Sequence, residues 1–186
     1  MFKKSQNGFP IKVLGNDGIK LSPVIPAKAG IHVAVILLAL LLTVPAFAFP
    51  LGVLPDPALT PGAVDPAVTL ANIMSTICVH GYTAKVRHVT AAEKRQDLAR
   101  YLTAHPDWPK GPYEDDHDIS LELGGSNDLA NRWPEPYSGP LGARQKDQVE
   151  NYLHRQVCAG KISLKAAQEA IKKWPEVYGE MKRGLK

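Results

Sequence analysis

Residues 113–127 read YEDDHDISLELGGSN and crowd four carboxylates, Glu114, Asp115, Asp116 and Asp118, around one imidazole, His117. Carboxylates so close repel one another, so such a stretch either lies on a solvated loop or gathers a cation. On a strand the side chains alternate. Glu114 and Asp116 then share one face, and Asp115 and His117 the other. Two carboxylates on one face make half of a site for a hard metal ion. The adjacent histidine, with an ordinary pKa of about 6.5, is suited to take a proton from water. Gly124 and Gly125 permit the tight bend that returns the chain, and Asn127 and Asn131 on the return are placed to hydrogen-bond the imidazole and fix its tautomer. The spacing is not that of an EF-hand loop. The plainer alternative is a surface histidine paired with Asp116 or Asp118.

The elements around this stretch follow from periodicity and punctuation. Leu70, Ile73, Met74 and Ile77 recur at three and four, which predicts a buried helix face over 68–79. TAKVRHVT (83–90) alternates weakly, as a short strand does. Thr90 and Glu93 form a capping box opening a helix over 91–102, with Leu98 and Leu102 inward. Prolines make HPDWPKGP a loop. Val149, Leu153 and Val157 repeat every four residues in ARQKDQVENYLHRQV, and Ala159-Gly160 ends that helix. Ser163 caps a last helix through Trp174, which Pro175 stops. With a two-stranded unit around 112–137, the expected class is α+β, small and mainly helical. Trp133, Trp174, Tyr137 and Tyr152 are packing residues, and His154, one turn beyond Glu150, reads as half of a solvated pair.

Four blocks in order, YEDDH, LELGGSND, NRWPEPY and KDQVEN, resemble the HNH, or His-Me finger, endonucleases, and in particular exported bacterial HNH-like proteins. The likeness runs from about Tyr113 to Tyr178 and more loosely back through TICVHGYTAKVR. It implies a ββα-metal hairpin-helix unit and hydrolysis of phosphodiester bonds. By position, His117 would be the general base and Asn131 would orient it. Asp116 would hold a divalent metal, Mg²⁺ first, with Mn²⁺ or Zn²⁺ as alternatives, and Glu114 would stand near that metal. Lys146 would contact phosphate; Arg132 stands where the family has an apolar residue, and a nuclease in this chain would rely on local basic residues such as Arg132 and Arg144 to hold nucleic acid, with DNA favoured over RNA. The chain departs from the pattern at Asp118 and at Arg144-Gln145, where the family carries a His or Asn metal ligand. Those departures motivate the alternative: an inactive periplasmic binding or structural protein on the same scaffold.

Composition bounds the setting. Of 22 basic and 18 acidic residues, residues 1–48 hold five lysines and one acid, which leaves 17 of each sign in the remainder. A neutral remainder exerts no long-range pull on nucleic acid, so binding would depend on local basic clusters. Lysines, an apolar run from Val33 to Val44, and Ala46-Phe47-Ala48 have the three parts of a secretory signal, with cleavage expected after Ala48. An inner-membrane anchor from Val33 to Phe49 is the alternative. Residues 49–67 are a Pro/Gly-rich leader that should wrap a surface or stay mobile, and 68–186 form the nuclease-like domain. Cys78 and Cys158, the two cysteines, exclude a four-thiolate zinc site. In an exported, periplasmic or secreted protein they would pair, and closing that loop would stabilise the fold by about 4 kcal/mol in the chain-entropy model. No membrane partner is expected after cleavage.

Overall fold

The structure, a computed structural model, describes residues 49–184. The expected N-terminal extension and secretory signal (together 1–48) and nearly all of the anchor alternative lie outside them. Among the described residues no helix is long and apolar enough to cross a membrane. The elements in order are α1 (Tyr82–Val86), α2 (Ala91–Ala104), β1 (Tyr113–His117), β2 (Arg132–Pro136), α3 (Ala143–Cys158), α4 (Leu164–Ile171) and α5 (Trp174–Lys182). Short 3-10 turns lie at Ile73–Ser75, Leu121–Leu123 and Leu129–Asn131. The class is α+β.

β1 and β2 pair antiparallel, with Asp116 opposite Trp133 and His117 opposite Arg132. Both strands are edges, which is why Pro134 and Pro136 are tolerated without N–H donors. The hairpin separates two cores. On one side Tyr101 of α2 packs with Trp108 and Trp133, whose rings meet edge to face at 6.1 Å. On the other, Val149, Leu153 and Val157 of α3 pack against Ala167, Ile171 and Trp174. Residues 49–67 wrap the hairpin. Val64 bridges Gly125, Gly62 N–H donates to the Ala130 carbonyl, and Tyr101 donates to Thr60, which in turn donates to the Arg132 carbonyl. A disulfide joins Cys78 to Cys158, fixing the segment before α1 to the end of α3.

Four expectations are corrected. Residues 68–79 form turns rather than a helix, and Leu70 and Met74 are 70% and 67% exposed. The Asn72 side chain accepts from Thr69 N–H and donates to the Ala67 carbonyl, a local alternative to helical bonding. Residues 82–86 are helical, not a strand, and no strand pairs with them. The capping box of α2 is present, yet its buried residues are Asp97 and Tyr101, while Leu102 is exposed. Pro175 opens α5 instead of ending a helix, since the first helical turn has no need of its N–H.

Beneath α2 lies an ion cluster in place of an apolar stripe. Arg132 reaches Asp97 at 3.2 Å and Asp115 at 3.7 Å, and Arg100 pairs with Asp97 at 3.1 Å. Burial, and then the Asp97 carboxylate, push Asp115 from 3.8 up to about 7. An acid with a raised folded pKa keeps its proton in the native state longer than in the unfolded one. Its ionisation therefore weakens the fold progressively from about pH 4 to about pH 7. Asp115→Asn should gain stability relative to wild type across that window, read as the difference in urea midpoints. A difference that does not vary with pH contradicts this.

Candidate active site

The connection from β1 to β2 is held by one side chain. Asn131 is fully buried, and its Oδ1 accepts from Ile119 N–H at 2.9 Å and Ala63 N–H at 3.2 Å. Its Nδ2 donates to the carbonyls of Ile119 and Ser126 at 2.9 and 2.8 Å. The backbone passes so close that a Cβ on Gly125 would lie 1.7 Å from the Ile119 oxygen, while Gly124 supplies a φ of +74°. The pair of glycines thus meets two separate demands, space and a left-handed turn.

α3 faces the hairpin through Lys146, which is 1% exposed. Its Nζ donates to Asp116, to Glu150 one turn along α3, and to the His117 carbonyl at 2.8 Å, and lies 4.0 Å from Glu135. Burial opposes the charge, but Asp116, Glu150 and Glu135 outweigh it and raise the lysine well above its usual pKa. Burial raises Asp116 as well, yet the attraction of Lys146 wins and holds it at about 2. For Glu150 burial prevails, to about 8, and burial also raises Glu135 well above its usual value. Neither Glu135 oxygen has a donor, so its natural partner is the Asp116 carboxylate, reached once Glu135 carries the proton.

His117 closes β1 at 1% exposure. Its Nε2 donates to Asn127 Oδ1 at 3.2 Å, and Asn127 is itself fixed by donation to the Val86 carbonyl at 2.8 Å. That bond leaves Nδ1 as the free lone pair, buried and without a partner. Burial chiefly, against the pull of Asp116, lowers the imidazole to about 4, so it is neutral at physiological pH. Asp118 is not what tunes it: its carboxylate lies against Gly62 and is raised to about 6 by burial.

A cleft of about 90 Å³, enough for a few waters, is lined by Thr83, Arg87, Asp116, His117, Ser120, Glu122 and Glu150. Three of its walls carry a buried polar atom with no partner: His117 Nδ1, Ser120 Oγ and Glu122 Oε1. Buried polar atoms are ordinarily satisfied, so three around one small cleft mark a place shaped for a polar ligand. Asp116, Glu122 and Glu150 are oxygen donors, the kind a hard dication such as Mg²⁺ or Mn²⁺ prefers over Zn²⁺, but among the described residues only Cys78, His154 and Cys158 bring three ligand atoms within 4.8 Å of one another.

The residues singled out from sequence are thus divided. Asp116 and His117 line this cleft, whereas Asn131 braces the loop and never touches the imidazole, a task Asn127 performs. Lys146 is enclosed by acids, and Arg132 is buried with Asp97 and Asp115, so neither is presented to a phosphate. Glu114 is not in the wall of Asp116's cleft but bonds Tyr137 and lines a second groove, and Gln145 caps α3 by accepting from Gly142 N–H. Arg144 is exposed on the first turn of α3 and is not part of the cleft wall. Sequence reasoning missed Glu150, Glu122 and Arg87. Glu150 was visible as the residue one turn after Lys146, on the same helix face.

Exposed basic residues lie beside the cleft. Arg87 lines it and also two open grooves of about 400 and 370 Å³, which add Lys94, Arg95 and His88, with Tyr113 and Tyr137 as aromatic walls. Comparison with protein-family models, with curated proteins and with solved structures yields no match.

The two asparagines separate structure from chemistry. Asn131→Ala strands four backbone groups, three of them in buried bonds, and should lower the unfolding free energy by about 3 kcal/mol or more. Asn127→Ala should cost only about 1 kcal/mol. Urea denaturation of both variants checks this, and equal losses contradict the division of roles.

Proposed function

We propose that the chain is an exported, metal-dependent phosphodiester hydrolase of the HNH, or His-Me finger, type, acting on nucleic acid. The observation that carries the proposal is a neutral, buried His117 with an unpartnered Nδ1, in the wall of a cleft it shares with Arg87, Asp116, Ser120, Glu122 and Glu150. The strand-strand-helix order of β1, β2 and α3 agrees with a ββα-metal unit, and the Cys78–Cys158 disulfide agrees with an oxidising compartment.

His117 Nδ1 accepts the proton of a water, while Asn127 keeps the other nitrogen protonated and the ring in one orientation. A phosphate entering the cleft brings negative charge that raises the imidazole's low pKa toward a useful base strength. Arg87 pairs with that phosphate, and Lys94 and Arg95 follow the backbone away from the cleft, a local answer to a neutral overall charge. Asp116, Glu122 and Glu150, with Glu150 giving up its proton, would have to draw in a hard dication, which would supply stabilisation of charge developing on the phosphate and leaving oxygen.

A second reading, an inactive binding protein, is favoured by one observation: the Lys146 ammonium already answers the charge of Asp116 and holds Glu150 by a hydrogen bond. Plasmid DNA and single-stranded RNA incubated with the purified chain, Mg²⁺ or Mn²⁺, and an EDTA control separate the two. The hydrolase should nick DNA, His117→Ala should be slower by about 10² or more, and Arg87→Ala should bind more weakly with a shallower salt dependence. Intact substrate under every metal, or a His117→Ala variant as active as wild type, favours the inactive scaffold.

A further inference from the structure

The disulfide has a third neighbour. His154 lies one turn before Cys158 on α3, and its Nε2 is 3.4 Å from the Cys158 sulfur. One ligand atom from each of Cys78, His154 and Cys158 falls within 4.8 Å of the others. A tetrahedral zinc ion with bonds of about 2.1 to 2.3 Å holds its ligand atoms about 3.5 to 3.8 Å apart. Once the S–S bond is open, small side-chain movements therefore reach that geometry.

The imidazole is also supported as metal-binding histidines are. Its Nδ1 lies 3.9 Å from Glu122 Oε2, the carboxylate that would receive an N–H if Nε2 became the ligand. In the disulfide form Nε2 instead donates to the Ile77 carbonyl at 2.9 Å. Cys78 and His154 line an open cleft of about 510 Å³, which leaves a fourth position for water or an added ligand.

We propose that Cys78, Cys158 and His154 form a redox-gated site for a soft or borderline divalent cation, zinc above all. An external dithiol reduces the disulfide: two electrons and two protons pass to the protein sulfurs, and the reductant leaves as its own disulfide. The cation then binds two thiolates and the His154 Nε2, releasing the two thiol protons. A covalent link between the segment before α1 and the end of α3 is replaced by a metal link at the same place. The site shares Glu122 with the His117 cleft, and its test reads cobalt and zinc binding whether or not that cleft is active.

Cobalt(II) is the probe. The full chain is reduced with a phosphine, freed of reductant and titrated with Co²⁺, then with Zn²⁺. One equivalent of cobalt should give thiolate-to-cobalt charge-transfer absorption that zinc abolishes, and the oxidised chain should give none. His154→Ala should weaken binding at least 10-fold, and Glu122→Gln should weaken it less, with the fold of each variant checked by circular dichroism. Zinc should also raise the melting temperature of the reduced wild type. The proposal is overturned if the reduced chain gives no such band, if His154→Ala binds as wild type does, or if a chain unfolded by reduction is not refolded by zinc.

Discussion

The ammonium of Lys146 is taken out of water at the joint between the hairpin and α3, and it bonds to Asp116 on β1, Glu150 on α3 and the His117 carbonyl. A lone buried charge costs several kcal/mol, so the joint is tolerable only with all of these partners in place. The consequence reaches beyond α3. Holding the His117 carbonyl fixes the end of β1, and pairing with Asp116 keeps that carboxylate ionised beside the imidazole while Glu135 and Glu150 are left to retain protons. The charge of the cleft wall is therefore set from behind it.

The same end of β1 is held from the opposite side by uncharged groups. Asn131 ties the loop after His117 to itself and to Ala63 of the wrapping segment, and Gly125 lets the strands of that loop close to van der Waals limits. His117 thus sits where a charge network and a backbone network meet, fixed at Nε2 and unpartnered at Nδ1. That asymmetry is what gives the cleft chemical direction.

Much of this was legible in residues with local causes. The Thr90–Glu93 box, the Val149, Leu153, Val157 stripe and the Ser163 cap each declare a helix through neighbours three or four positions away. The adjacency of Asp116 and His117 likewise placed the site on a strand end. What escaped depended on distant partners. Asp97 and Tyr101 bury the face of α2 through ions and hydroxyls that hydrophobic spacing does not register, and Leu70 and Met74 carry a helical period that Asn72 and its turn bonds override. Arg132 and Lys146 looked like surface cations because a sequence does not show which way a strand or helix turns. Only the fold brings Asp97 and Asp115 to the one and Glu150 and Asp116 to the other.

The dependence of the joint on one ammonium is open to a direct measurement, urea denaturation of Lys146→Met at pH 7. Removing the cation strands an ionised Asp116, so the variant should lose about 3 to 5 kcal/mol. Most of that loss should return in Lys146→Met with Asp116→Asn, where no charge is left to strand. A loss below about 1 kcal/mol, or a double variant no more stable than the single one, would contradict the account.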